Sequence, residues 1–465
     1  MRRVALLASL SAFVFLANWG GAHLWDEDEA IFSQTAREML ERGEGVVPYF
    51  NGEVFVHKPP MMYWLMEASY ELLGTHAFAA RFPSALFGLA SVLLTYRLGR
   101  LMFSPGAGFW AGVILATNLN FMLIARAATP DAFLVFFSSL ALLAFVSGSA
   151  KARAVSADPN ERNAPWVGQN CFEPSWLTYV LSYAAMGLGV LVKGPIGVVL
   201  PTAVIGLFLL IVRSAPTRAD GDDTLRGRLR RAANWMRRVF SPRQVLSTIW
   251  SMRPLTAIAV VLAVAAPWYA WVGVRTDGAF LVGFFGEHNF GRFLNAMENH
   301  RGPIFYYLVA MAVGFFPWSV LWGPCWLDMT RQLRAGGPWR SGYIFLCAWI
   351  AVWVGFFSLA GTKLPSYVVP AYPALALAAG CLVDRWLRGS AVVARIWTHL
   401  IWGTVALAGL AIMIALPIVA HAYLGNDWWL GAIGLVPLAG AALGWSFARR
   451  QQMRAALWTL TAVAA

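Results

Sequence analysis

Four consecutive acids, Asp26, Glu27, Asp28 and Glu29, stand ahead of an amphipathic run, and a His57-Lys58-Pro59-Pro60 turn follows it. Phe32, Ala36, Met39 and Leu40 fall at helical spacing in that run, which Gly43 and Gly45 close. Carboxylates of this kind orient a nucleophile or take its proton. A lysine before paired prolines suits the other half of the chemistry. The prolines fit the first turn of a helix, where their missing N–H groups would be unpaired anyway. Lys58 would then stand where free N–H groups and the helix dipole favour an anion. Acids ahead of a helix also serve as plain N-caps, and Lys-Pro-Pro is a common loop-to-helix junction. The pairing gains weight only if other polar groups converge on the same loop.

Several do. Asp131 heads a strongly apolar helix, where a carboxylate is costly unless paired or used. Lys193 ends one apolar segment in Leu191-Val192-Lys193-Gly194-Pro195, and Lys363 ends another in Gly361-Thr362-Lys363-Leu364-Pro365-Ser366-Tyr367. Gly286 to Phe293 reads GEHNFGRF, offering His288, Asn289 and Arg292. The chain has only four lysines among its 36 basic residues, so positive charge is normally supplied by arginine. Three of the four, Lys58, Lys193 and Lys363, precede a proline that begins a helix. A compact ammonium at such a place is a good point-charge partner for phosphate oxygens.

The elements that must position these groups are membrane helices. Of the 465 residues, 59% are hydrophobic and 13% charged, and the mean hydropathy is +0.59; a soluble domain is nearer half apolar and a quarter charged. The expected fold is an all-α polytopic membrane protein of about 12–13 spans, near 4–22, 79–96, 107–124, 132–148, 176–192, 195–212, 254–273, 303–323, 341–360, 366–383, 397–420 and 428–447, with a partial thirteenth from 455. Met1-Arg2-Arg3 and the run after it read as an uncleaved first span. The 23 tryptophans and 13 tyrosines fit interfacial anchoring.

Alternating sides from a cytoplasmic N-terminus puts 26 of the 36 Lys and Arg inside, with 8 of the 23 acids, which fixes the orientation. Residues 23–78 become the first outer loop with two interfacial helices, 274–302 another outer loop, and 213–253 an inner loop with ten arginines facing anionic lipid. Residues 150–174 read as a connector. The net charge of +13 is thus a membrane signature rather than a nucleic-acid one. Four cysteines lack CxxC spacing, and no disulfide framework or zinc knuckle is expected. No phosphate-loop or dinucleotide motif appears, so no nucleotide site is expected.

The unusual polar groups therefore gather at the outer face, where a lipid-linked phosphate donor is the natural sugar source. Here the sequence resembles a known family. Asp28-Glu29 with Arg37-Glu38-Met39, Val47-Pro48 with Asn51-Gly52, and Lys58-Pro59-Pro60 with Tyr63-Trp64 resemble the first periplasmic loop of the lipid A aminoarabinose transferases. Those belong with the protein mannosyltransferases to the GT-C class of polyprenyl-phosphate-dependent glycosyltransferases. The segments Ala79 to Leu86, Val192 to Pro195, His288 to Phe293 and Thr362 to Tyr367 follow in the same order, and the resemblance covers most of residues 20–375.

The resemblance implies a GT-C bundle in the bacterial inner membrane, its site facing the periplasm, and an inverting transfer from a polyprenyl-phosphate sugar to a lipid, glycan or protein acceptor. Asp28 would act at the reaction centre, with Glu29 and Asp131 as accompanying acids. Lys58, Lys193, Asn289, Arg292, Lys363 and Tyr367 would hold the donor and its leaving phosphate. In the aminoarabinose subgroup an acid before Lys-Pro-Pro and the loop histidine hold a divalent metal. Here that position is His57, so His57 and His288 become the candidate ligands for zinc, magnesium or manganese, and the aminoarabinose substrate comes into question. No complete soluble domain is expected after the last span. The competing class, a multi-pass transporter or lipid flippase, would place ionisable groups near the midplane and show inverted repeats; no repeat is visible.

Overall fold

The computed structural model describes all residues except 18–22, 25, 150–165, 168–171, 173, 215–223, 295–299 and 424–426. The connector expected at 150–174 lies largely outside the described residues. The extramembrane layer comes first. After α1 (Arg2–Leu16), Asp26 caps α2 (Glu27–Arg42) by accepting from the Asp28 N–H at 3.1 Å, and Gly43 ends the helix in the left-handed conformation (φ 62°). A two-residue hairpin, β1 (Tyr49–Phe50) and β2 (Glu53–Val54), folds back on α2 because Glu38 accepts from the Asn51 and Gly52 N–H groups. Then α3 (Met61–Leu73) starts directly after the prolines and packs its Met62, Tyr63, Met66 and Tyr70 with Phe32, Ala36 and Met39 of α2 in the main core.

The membrane layer follows: α4 (Ala77–Met102), α5 (Pro105–Ala116), α6 (Leu119–Ala125), α7 (Asp131–Ser149), α8 (Trp176–Lys193) and α9 (Ile196–Arg213). Two Arg-rich and amphipathic helices, α10 (Leu225–Val239) and α11 (Pro242–Ser251), lead to α12 (Pro254–Arg275). A π-helical stretch, Val282–Gly291, is flanked by the single turns α13 (Ala279–Leu281) and α14 (Arg292–Leu294). The rest comprises α15 (Tyr306–Gly314), α16 (Trp322–Ala335), α17 (Arg340–Leu359), a 3-10 turn Pro365–Ala371 running into α18 (Tyr372–Leu387), α19 (Arg395–Tyr423), α20 (Leu435–Arg449) and α21 (Met453–Ala464).

Among the described residues nine helices are long and apolar enough to cross a membrane, or eleven when two bent pairs each count as one span. In their described residues the expected segments are largely helical, but two are broken. The 107–124 segment bends by 69° between α5 and α6, where the Asn118 amide donates to the Ile114 and Leu115 carbonyls of α5 and its oxygen caps α6 by accepting from the Phe121 N–H. The 303–323 segment bends by 111° after α15. The described part of the first segment, α1, has 15 residues, and α21 has 12, both shorter than a bilayer requires.

Close approach holds the bundle, since apolar helices gain nothing by leaving lipid and must instead fit one another. α5 lies so near α18 that a Cβ on Gly380 would sit 2.6 Å from the Ala107 carbonyl and the Ala111 nitrogen. The segment that carries α2, the hairpin and α3 is pinned to the bundle by specific bonds. Trp64 and Trp268 donate to the Gly45 and Val46 carbonyls at 2.7 and 3.0 Å, and Arg275 pairs with Glu44 at 2.6 Å.

Candidate active site

Asp28 sits in the first turn of α2, one helical turn before Phe32, and the Lys58 ammonium lies over the Phe32 ring at 5.9 Å. Residues four apart share a helix face, so Asp28 looks toward Lys58. Its side chain is exposed at the rim, yet protein masses on one side of it. That crowding raises its pKa above the ordinary carboxylate value, against the pull of Lys58, and Asp26 and Asp131 raise it further.

Beneath Asp28, Lys193 at the end of α8 pairs with Asp131 at the start of α7 at 2.6 Å, both groups about 90% covered. The pairing is a consequence of antiparallel neighbours: α7 begins where α8 ends. Lys193 also lies over the Tyr367 ring at 5.2 Å. Gly194 turns the chain with φ 74°, and a Cβ there would strike Phe284 at 2.7 Å, so glycine lets the π-helix close over Lys193.

Beside these groups is a cavity enclosing about 100 Å³, whose polar lining includes His57, Lys58, Lys193, His288, Asn289 and Arg292 but neither Asp28 nor Asp131. Phe284, Phe293, Phe356, Phe357 and Ile196 supply apolar lining. That is room for a phosphate-sized group with water. Arg292 donates to the Tyr367 hydroxyl at 3.4 Å. It is held by backbone: the Gly361 and Thr362 N–H groups donate to the Phe293 and Arg292 carbonyls, at 2.7 and 3.3 Å. Lys58 keeps some open surface, but its ammonium is encircled by protein. Together with Lys193 and Arg292, this lowers its pKa to about 8.

His57 is sandwiched between Phe55, 4.2 Å away ring to ring, and His288, 3.9 Å away with a 39° tilt. Burial first, then His288, Lys58 and Arg292, push its pKa down to about 3, so it is neutral. Neutral imidazole is the metal-binding form, but ring lone pairs lie in the ring plane, and these two rings meet through their faces at 3.9 Å with a 39° tilt rather than edge to edge around one point. No group of three or more His, Cys, Asp or Glu able to hold a metal exists among the described residues. The pair as arranged does not fit a metal centre.

Two expected site residues are placed elsewhere. Glu29 is fully buried one residue round the helix from Asp28, bidentate to Arg81 at 2.9 and 2.8 Å and accepting from the Ala128 N–H at 2.8 Å. A 100° step per residue sends adjacent acids to different faces, so Glu29 is a lock between α2, α4 and the turn before α7, not a group of the cavity. Lys363 precedes its proline as expected, but its ammonium turns back onto the Phe357, Ser358 and Ala360 carbonyls at 3.3, 2.9 and 2.9 Å. It satisfies the open carbonyls ending α17. Of the three outer lysines, two therefore reach the cavity.

The sequence and the fold are similar to those of known proteins. The Dolichyl-phosphate-mannose-protein mannosyltransferase family matches residues 57–156. The undecaprenyl phosphate-alpha-4-amino-4-deoxy-L-arabinose arabinosyl transferase of Aeromonas salmonicida is 28% identical over 95% of this chain and 71% of its own length. That of Aeromonas hydrophila is 28% identical over 97% and 73%. The crystal structure of ArnT from Cupriavidus metallidurans bound to undecaprenyl phosphate superposes with a TM-score of 0.72, at 24% identity, over 99% of this chain and 74% of that one. Over most of its length the chain is similar to these arabinosyl transferases, and it shares the GT-C membrane fold. In this GT-C bundle the phenylalanines lining the cavity carry no signal in the sequence, because Phe356 and Phe357 look like ordinary span residues. Arg81 was likewise passed over as a span-flanking cation. A buried arginine 52 residues from an acid carries no local signal.

Proposed function

We propose that this chain is an inverting glycosyltransferase that moves a sugar from a polyprenyl-phosphate donor to an envelope acceptor of the lipid A type, at the periplasmic face of the bacterial inner membrane. The observation that carries the reading is the cavity's mixed lining of cations and phenylalanines. Lys58, Lys193 and Arg292 line it together with Phe284, Phe293, Phe356 and Phe357, and Asp28 is near enough to feel the charges of Lys58 and Lys193. A prenyl phosphate suits both, with an anionic head and an apolar tail.

In the reaction, an acceptor oxygen attacks the sugar's anomeric carbon from the side opposite the phosphate. The bond from that carbon to the phosphate oxygen breaks, and its electron pair leaves with the polyprenyl phosphate. The leaving phosphate gains one negative charge, which Lys58 and Arg292 stabilise as it grows. For a hydroxyl acceptor, Asp28 receives the proton; for an already ionised phosphate acceptor, it orients the nucleophile. A raised Asp28 pKa makes it a better proton acceptor than an ordinary aspartate. The Asp131–Lys193 pair holds one cation in a fixed place beneath it. Relatives bearing the arabinosyl transferase name support this assignment, and the His57 position leaves the transferred sugar to experiment.

The test is release of radiolabelled sugar from undecaprenyl phosphate by purified protein, compared with Lys58→Ala and Arg292→Ala. Each variant is expected to lose at least a hundredfold in turnover, the scale of removing one group that stabilises developing charge. Unchanged turnover in both variants, with lipid movement across vesicles depending on these residues instead, would favour a flippase.

A further inference from the structure

We propose that the face opposite the candidate active site is a docking surface for anionic phospholipid, with a headgroup seat formed by Arg213, Arg253 and Trp250. α9 begins beside Lys193 and ends at Arg213, and α12 begins at Pro254 and ends at Arg275 near the outer loop. At 1.5 Å per residue, the eighteen residues of α9 separate the two faces by about 27 Å. This is the bilayer's hydrocarbon thickness, so Arg213 lies at the opposite boundary.

A second cavity opens there, of about 570 Å³, lined by Arg213, Trp250, Ser251, Arg253, Thr256 and Phe172 among others. Arg213 donates to the Ser251 hydroxyl at 2.6 Å, which fixes its fork with other N–H donors to spare. Arg253 is exposed at the start of α12, and Trp250 is 72% exposed. Tryptophan at this depth is a membrane-interface residue.

The connecting helices decide the occupant. From Thr224 to Arg253 there are eight arginines and no acid. Six of them lie on α10, whose Leu229 and Met236 are 63% and 52% exposed; α11 adds Leu246 at 66% and Ile249 at 49%. A helix with arginines on its polar side and bare aliphatic side chains on the other lies in the interfacial plane. Nucleic acid would use the arginines but leave the aliphatic row in water. A zwitterionic lipid would cover that row but leave the arginines without counter-charge. Anionic phospholipid satisfies both.

Full-length protein, delipidated in detergent, is titrated with phosphatidylglycerol or phosphatidylcholine, and bound lipid is counted by native mass spectrometry. Phosphatidylglycerol is expected to bind at least tenfold more tightly. Arg213→Gln with Arg253→Gln should weaken it by about 25-fold, roughly fivefold per basic residue at an anionic surface, with sugar transfer kept. Arg230, Arg231, Arg237 and Arg238, all changed to Gln, should flatten its salt dependence. This second variant, outside the bundle, carries the test if the first does not fold. Equal retention of the two lipids, unchanged affinity in either variant, displacement by millimolar inorganic phosphate, or tighter binding of duplex DNA than of phosphatidylglycerol at physiological salt would overturn the proposal.

Discussion

Asp28 and Glu29 are adjacent and nearly identical in chemistry, and the structure gives them opposite work. Changing each carboxylate to its amide separates fold from reaction. Glu29 is fully buried and takes two bonds from Arg81, at 2.9 and 2.8 Å, and one from the Ala128 N–H. In Glu29→Gln, the amide turns a donor toward a guanidinium that only donates, and the carboxylate charge opposite Arg81, which is 3% exposed, is lost. Removing one member of a buried pair costs about 3–5 kcal/mol, which lowers the folded-to-unfolded ratio by more than a hundredfold. Asp28→Asn disturbs no cap, because Asp26 is the N-cap of α2, and the side chain is exposed. Its stability cost is within about 0.5 kcal/mol, while loss of a proton acceptor lowers turnover by about 10²- to 10⁴-fold. The assay pairs thermal unfolding in detergent with sugar transfer per folded molecule. The expected outcome is crossed: Glu29→Gln unfolds early but turns over normally when folded, and Asp28→Asn unfolds like wild type but is slow. Wild-type unfolding in Glu29→Gln together with near wild-type turnover in Asp28→Asn would refute the division of labour.

Lys58, with its pKa lowered to about 8, loses its ammonium as pH rises through that value. Affinity for undecaprenyl phosphate should therefore fall between about pH 7 and 9, and Lys58→Arg, which stays charged, should abolish that fall; a flat wild-type titration rules it out. Lys193→Met strands the buried Asp131 and should cost about 3 kcal/mol, with Asp131→Asn in the same chain restoring most of the stability but not turnover. Additive losses in that cycle would show the pair to be uncoupled. Gly380→Ala forces α18 off α5, where backbone atoms stand 2.6 Å from the new carbon, and should destabilise by about 1–3 kcal/mol with an unchanged Michaelis constant in the folded fraction. Wild-type unfolding in this variant would mean that the helices separate freely.

Membrane helices and the outer loop were legible because their signals are local. Apolar length marks a span, a capping acid and a closing glycine mark α2, and paired prolines mark the start of α3. The bends after Ala116 and in the 303–323 segment were not, because a span broken by 69° or 111° keeps the composition of a straight one. Asp28, Lys58 and Arg292 were found by residue type. Glu29 and Lys363 were found by the same rule and placed elsewhere, since the rule reads neighbours along the chain. Whether an acid meets Arg81 or an ammonium meets the carbonyls ending α17 depends on partners brought from other helices.

The sequence by itself determined that the chain is a membrane bundle, which residues stand at span ends, and which of them are rare enough to notice. Periodicity, hydropathy and lysine scarcity are properties of the chain alone. Only the tertiary structure decided which charges share a cavity and which cancel in the bundle. A 100° turn per residue and the packing of α7 on α8 set where each side chain points, and neither the facing helix nor its distance is written in the local residues.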